Sequence, residues 1–167
     1  TLNVAEELLL PLIEDILNEK RTQWQNKENV KLNLLVGAAD RLLTAKLNRT
    51  ELIRVLSNLI DNGVQALEGN GQINIRLSQS ESNVVVSIQD TGRGMTDAEL
   101  ASLGVRGITF GKTDGSGLGV FHAMETMRAF GGDLRFESKL AIGTTAHLLF
   151  PQMALTTTIL RKIELEP

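Results

Sequence analysis

The spacing of apolar residues predicts three long helices. Leucine, isoleucine and valine recur every three or four positions over residues 50–67, and a second helical pattern runs over residues 119–130 to a Gly-Gly pair. A third pattern predicts a helix over residues 4–24, in which Pro11 is expected to introduce a kink. Alternating or continuous apolar runs predict strands over residues 30–36, 42–47, 72–78, 83–90, 133–138 and 144–150.

The order of these elements indicates the fold class. Helices alternate with antiparallel-type strand pairs, so we expect a two-layer α/β sandwich in which helices cover one face of a mixed sheet. Glycine is frequent over residues 91–119, where only residues 98–103 have a helical pattern. We predict one domain over residues 1–152, followed by a C-terminal extension or edge strand at residues 153–167.

Composition and charge argue against several classes of protein. The net charge is −3 without a dominant basic patch, so we expect no nucleic acid as partner. The chain has no cysteine, which excludes disulfides and thiolate chemistry. No apolar run approaches the ~20 residues of a membrane helix, and residues 1–7 do not have the features of a signal peptide. We therefore expect no direct membrane contact in this chain.

Two asparagines on the 50–67 helix are the first candidate site residues. Asn58 and Asn62 are four residues apart, so both project from one face, opposite the apolar stripe. Their amide oxygens suit Mg²⁺, which uses few protein ligands and takes the rest from water and substrate phosphates. The alternative is a helix face that simply contacts solvent.

Asp90 ends a strand in which Val84, Val86 and Ile88 share its side of the sheet. Its carboxylate is therefore expected to face the core, where it needs a hydrogen-bond donor such as an adenine amino group. The glycines of the following run, Gly92 and Gly94, allow a flat base to lie against bare main chain. An ordinary turn after the strand remains the alternative.

A glycine-rich run precedes the 119–130 helix. Gly117, Leu118 and Gly119 lie where backbone N–H groups at a helix start can bind an anion such as phosphate. The preceding segment carries Phe110 and Lys112 and is suited to a mobile lid over a polyphosphate. A flexible capping turn and an ordinary surface loop are the alternatives. In the last strand, the hydroxyl of Thr144 could bond to Asp90 directly or through water, or Thr144 could simply be a β-branched strand residue.

The order and spacing of these motifs resemble those of the ATPase superfamily of gyrase, Hsp90, MutL and histidine kinases. The match is closest to the sensor histidine kinases. Residues 58–62 resemble their N box, residues 90–94 the G1 box, residues 109–112 the F box and residues 115–119 the G2 box. The resemblance spans nearly the whole chain and implies the Bergerat ATP-binding fold, with a mixed, mostly antiparallel sheet.

The resemblance also implies roles for individual residues. Asn62 would coordinate Mg²⁺ and Asn58 would support it at the phosphates. Asp90 would bind the adenine amino group with Thr144 nearby. Gly92 and Gly94 would line the adenine base. The Lys112 side chain and the backbone of Gly117, Leu118 and Gly119 would contact the phosphates. ATP and Mg²⁺ are the implied cofactors.

The activity implied by this resemblance is transfer of the ATP γ-phosphate to a histidine on a dimerisation domain outside this chain. From there it would pass to the receiver domain of a response regulator, and the location would be cytoplasmic. Neither His122 nor His147 has the flanking pattern of the family's phosphoacceptor. Gyrase-like ATPases have a general-base glutamate where this chain has Asn58, which favours transfer over hydrolysis.

The sequence departs from the family pattern after the second asparagine. Gly63 stands where many members have alanine, and Gln65 stands where they have lysine or arginine. One cationic phosphate contact is therefore missing, and Lys112 or Arg54 could replace it. A gyrase- or Hsp90-like ATPase, a serine kinase acting on a small protein partner and a non-catalytic nucleotide-binding module remain the alternative functions.

Overall fold

The computed structural model describes residues 2–107 and 117–152. Strands and helices alternate along these residues, with a short 3-10 turn at Ala38–Asp40. The elements are β1 (Ala5–Leu8), α1 (Leu9–Gln23), β2 (Val30–Val36), β3 (Thr44–Leu47), α2 (Arg49–Ala66), β4 (Gly71–Gln79), β5 (Asn83–Asp90), α3 (Asp97–Ser102), α4 (Leu118–Ala129), β6 (Asp133–Lys139) and β7 (Gly143–Pro151). The predicted positions of Phe110 and Lys112 and the predicted element at 153–167 lie outside the described residues.

Five strands form one mixed sheet in the order β2-β4-β5-β7-β6. β2 runs parallel to β4, with Val30 opposite Gly71, and the other neighbouring strands are antiparallel. Helices α1, α2 and α4 pack on this sheet and on each other. The predicted two-layer α/β sandwich with a mostly antiparallel sheet is therefore confirmed.

The core lies between the sheet and the helices. Alternate residues of the central strands are buried, as the period of two in a half-buried strand requires. Each fully buried leucine, isoleucine or valine contributes about 1.5–3 kcal/mol of hydrophobic free energy. The buried stripe of α2 has the predicted helical spacing and consists of Leu52, Val55, Leu56, Leu59, Ile60 and Val64.

The predicted helix over residues 4–24 is wrong at its start. The chain first forms β1, which pairs antiparallel with β3 so that Leu8 lies opposite Thr44. The hydroxyl of Thr44 donates a hydrogen bond of 2.9 Å to Oε1 of Glu6, which closes this pair at the surface. The strand partner lies about forty residues away in sequence, so local periodicity contains no sign of it.

Pro11 lies in the first turn of the first helix, where the physical cause of the expected kink is absent. α1 begins at Leu9, which makes Pro11 its third residue. The N–H groups of the first turn have no partner within a helix, so a proline there removes no helical hydrogen bond.

Smaller differences at element ends come from local hydrogen bonds. α2 begins at Arg49 rather than Thr50, because the Asn48 side chain accepts a 3.1 Å hydrogen bond from the Glu51 N–H and caps the helix. β3 begins at Thr44 rather than at residue 42, because the Leu43 N–H bonds to the Asp40 carbonyl in a turn. Leu42 is left with its side chain in solvent.

We expect Leu56→Ala to lower the free energy of unfolding by about 2–5 kcal/mol, because it leaves a cavity in the core. The matched control is Leu42→Ala, which removes the same atoms from a side chain that is 80% exposed and should change stability by less than about 0.5 kcal/mol. Urea denaturation followed by circular dichroism measures both changes. Equal effects of the two substitutions would contradict this description of the core.

Candidate functional site

Helix α2 contacts both β5 and α4, and the region between the end of β5 and the start of α4 along α2 is called the cleft. Asn58 and Asn62 lie on α2, which packs against β5. The backbone of Gly63 lies against Asp90, since a methyl group built on this glycine would be 3.3 Å from Cβ of Asp90. A methyl group built on Gly119 would be 3.9 Å from the Asn58 side chain, so the helix start of α4 faces the same asparagine.

Asp90 is the most constrained polar group of this cleft. It is 8% exposed and shares the inner face of β5 with the valines and isoleucine, as the alternation predicts. Its Oδ1 accepts hydrogen bonds from the N–H groups of Gly92 at 2.8 Å and Thr144 at 3.2 Å. Burial raises the pKa of the Asp90 carboxyl above its ordinary value, and these two N–H donors partly oppose the rise.

The second carboxylate oxygen of Asp90 points toward α2. A methyl group on Gly63 would lie 3.7 Å from Oδ2 and 2.9 Å from Cδ1 of Ile73. A glycine at position 63 thus accommodates Ile73 beneath it and leaves space next to the carboxylate.

Thr144 contacts Asp90 through its backbone, not through its hydroxyl. The direct hydroxyl bond to Asp90 is therefore wrong, because the Thr144 hydroxyl lies 2.8 Å from the hydroxyl of Ser138. Ser138 in turn donates to the Gly143 carbonyl and accepts from the Met95 N–H. The contact of Ser138 with Thr144 was not predicted, because nothing in the sequence distinguishes Ser138 from other polar residues of a strand.

Gly92 and Gly94 bring main chain close to main chain. A methyl group on Gly92 would be 2.6 Å from the carbonyl oxygen of Ala66, and one on Gly94 would be 2.0 Å from that of Lys139. Gly94 also has a φ of 66°, which favours glycine. The glycines thus lock the loop after β5 between the end of α2 and the β6–β7 hairpin.

The start of α4 has the geometry expected of a glycine-rich helix start. Gly117 is the N-cap residue with a φ of 69°, and the helix begins at Leu118, one residue earlier than predicted. The N–H groups of a helix's first turn and the helix dipole favour an anion. Lys112, the predicted lysine contact to the phosphates, lies outside the described residues.

Both histidines have partners within the domain. Nε2 of His122 lies 3.1 Å from Oε2 of Glu51 and thereby links α4 to α2. Nδ1 of His147 lies 2.9 Å from the Ser87 hydroxyl across the β5–β7 pair. The Glu51 partner of His122 was not predicted, because it lies 71 residues earlier in the sequence.

Residues 2–107 and 117–152 contain no group of three or more histidine, cysteine, aspartate or glutamate side chains arranged to hold a metal ion. None of the helices in the same ranges is long and apolar enough to cross a membrane.

The sequence and the fold are similar to those of known kinases. The family model of histidine kinase-, DNA gyrase B-, and HSP90-like ATPases matches residues 47–154. The adaptive-response sensory kinase SasA of Synechococcus elongatus is 27% identical over 154 residues, which are 90% of this chain and 39% of that protein. Sporulation kinase C of Bacillus subtilis is 28% identical over 104 residues, 62% of this chain and 24% of that protein.

Solved structures show the same fold. The nucleotide-free catalytic domain of the histidine kinase ThkA superposes with a TM-score of 0.79 at 22% identity, covering 90% of this chain and 97% of that one. Full-length ShkA in complex with AMPPNP superposes with a TM-score of 0.77 at 22% identity, covering 92% of this chain and 32% of that one. The chain spans less than two fifths of the curated relatives named above.

With the family model covering more than half of the chain and with sensor kinases as relatives, the chain belongs to the histidine kinase-, DNA gyrase B-, and HSP90-like ATPases, as an ATP-binding catalytic domain of the sensor histidine kinase type.

Proposed function

We propose that this domain binds ATP with Mg²⁺ in the cleft between α2 and the start of α4. It presents the γ-phosphate to a histidine on a dimerisation domain outside this chain, from which a response-regulator receiver domain takes the phosphoryl group. The observation that carries the proposal is the buried Asp90 carboxylate, held through Oδ1 and lying beside an asparagine-bearing helix.

Asp90 is the proposed adenine-binding residue. Two backbone N–H groups already satisfy Oδ1, and Oδ2 lies at the side of α2, where an exocyclic amino group can donate to it. A hydrogen bond to a charged acceptor of this kind contributes about 1.5–3 kcal/mol. Gly92 and Gly94 form the proposed wall along the base, and the Thr144 backbone fixes the carboxylate from the other side.

Asn58 and Asn62 are the proposed phosphate and metal residues. The fit to Mg²⁺ rests on the donor chemistry, because amide oxygens are hard ligands and one turn of α2 carries both side chains, of which Asn58 lies near Gly119. When bound, the ion would neutralise phosphate charge, with Asn62 as its protein ligand and Asn58 in support. The N–H groups of Gly117, Leu118 and Gly119 and the side chain of Lys112 complete the proposed phosphate contacts.

Position 58 supports phosphoryl transfer over ATP hydrolysis. An asparagine amide does not accept a proton at neutral pH, so Asn58 cannot activate water as a general base. Phosphoryl transfer needs mainly positioning and charge stabilisation, which the α2 and α4 groups are suited to provide.

We expect Asn62→Ala to weaken ATP binding in the presence of Mg²⁺ by roughly 10–100-fold, because it removes the proposed ligand to a charged group. Asn18→Ala on the exposed face of α1 is the matched control and should leave affinity unchanged. Calorimetric titration with ATP, with and without Mg²⁺, measures both. Full Mg²⁺-ATP affinity in Asn62→Ala would contradict the metal assignment, and the absence of ATP binding by the parent chain would favour a non-catalytic module.

Asp90→Asn is expected to abolish nucleotide binding while stabilising the fold at neutral pH. The folded-state pKa of Asp90 is raised, so the native state binds the proton more tightly than the unfolded state. The stability of the parent protein therefore falls as the pH rises from about 4 through the folded pKa, and the asparagine variant escapes this loss. Urea unfolding at a series of pH values should show the two proteins converging near pH 4. A constant difference would contradict the assignment of the buried carboxylate.

The complete kinase should lose autophosphorylation when it carries either Asn62→Ala or Asp90→Ala. The 167-residue chain alone should hydrolyse ATP very slowly and should not label itself, because Asn58 is no general base and both histidines are engaged in the fold. Incubation with γ-labelled ATP measures hydrolysis and labelling together. Steady turnover by the chain alone would instead favour a gyrase-like ATPase.

A further inference from the structure

One lysine of α1 is buried in the helical layer. Lys20 is 2% exposed, and its ammonium group donates 2.8 Å hydrogen bonds to Oδ2 of Asp61 and Oε1 of Gln23. Burying an ammonium group is unfavourable unless its charge is paired and its protons are bonded. The position of Lys20 is therefore tied closely to that of Asp61 on α2.

Both carboxylate oxygens of Asp61 are held by α1. While Oδ2 accepts from Lys20, Oδ1 accepts a 3.1 Å hydrogen bond from the indole N–H of Trp24, just beyond the end of α1. Asp61 directly precedes Asn62 and lies one helical turn after Asn58. Asp61, which these two hydrogen bonds hold, is thus part of the same turn of α2 that carries the two proposed metal-site asparagines.

A second ion pair joins the same two helices but differs in burial. Arg49 of α2 lies 3.1 Å from Asp15 of α1, and these side chains are 52% and 63% exposed. An exposed pair of this kind is weak and imposes little geometry. The Lys20–Asp61 pair lies in the packed layer and acts together with Trp24.

The two hydrogen bonds to Asp61 restrain the rotation of α2 about its axis more narrowly than its apolar stripe does. Hydrophobic burial is non-directional, whereas hydrogen bonds require particular distances and angles. Two donors on one carboxylate fix the rotation of α2 about its axis, and this rotation decides where the neighbouring side chains point. Asn58 and Asn62 move with Asp61 because all three belong to one turn.

We propose that Lys20, acting through Asp61, is a positioning residue that sets the orientation of Asn58 and Asn62 toward the metal and phosphates. The inference rests on the proposed function of this cleft. Lys20 contacts neither nucleotide nor metal in this scheme, and its effect is confined to the metal-dependent part of ATP affinity.

The test is calorimetric titration of the 167-residue chain with ATP, once with excess Mg²⁺ and once with EDTA. The ratio of the two dissociation constants gives the enhancement by the metal. We expect Lys20→Met to reduce this enhancement by roughly tenfold, as loss of an outer-shell partner typically does, with ATP affinity in EDTA unchanged. Arg49→Met is the matched control, because it breaks the exposed pair between the same helices and should keep the parental enhancement.

A double variant addresses the risk that Lys20→Met fails to fold with an unpaired Asp61. Lys20→Met with Asp61→Asn leaves no unpaired charge and should fold. Because both residues act through one contact, their effects should not add. The double variant should keep at least as much enhancement of ATP binding by Mg²⁺ as the more strongly affected single variant. Circular dichroism confirms folding before each titration.

The outcomes separate this inference from the function on which it rests. Parental enhancement in the double variant, or equal weakening of ATP binding in Mg²⁺ and in EDTA, overturns the positioning role while the cleft remains an ATP site. Absence of any metal enhancement in the parent chain overturns both the positioning role and the proposed metal site.

Discussion

The bonding of the Asp90 carboxylate is the constraint on which the cleft depends. A carboxylate on the inner face of a sheet is tolerated only because two backbone N–H groups converge on one of its oxygens. One N–H comes from the loop after β5 and the other from β7, so the side chain fixes the loop, the strand pair and the adjacent helix relative to each other. Burial raises the pKa of the Asp90 carboxyl, so its ionised form lowers the stability of the fold at neutral pH, and the two N–H donors partly offset this cost.

The neighbouring elements follow from this constraint. α2 approaches Asp90 closely, which glycine at position 63 permits, and Gly119 of α4 faces the Asn58 side chain of α2. The contact between His122 and Glu51 then holds α4 to α2, as Lys20 and Trp24 hold α2 to α1. The close approach of α2 to Asp90 and the polar bridges between the helices together hold the elements that carry the proposed binding groups.

Much of this arrangement could be predicted because periodicity encodes which face of an element is buried. The bounds of β2 and β5, the stripe of α2 and the inward orientation of Asp90 follow from that information. The strand β1 and the contact of α1 with Asp61 could not be predicted, because each depends on a residue distant in sequence. Ser138 and Thr144 are close in sequence, but their contact depends on the register of the β6–β7 hairpin, which alternation alone does not specify. A local pattern specifies burial but not the partner that supplies it.

The loop from Asp90 to Gly94 has a consequence for molecular recognition. Its main chain bonds to α2 through the Arg93 N–H and to the β6–β7 hairpin through the Arg93 carbonyl. Such a loop is ordered before a ligand binds, so little conformational entropy of the loop is lost on binding. A preorganised loop of this kind discriminates between ligands by steric fit and excludes rings that are too large. A flexible loop would instead change its conformation to fit the ligand.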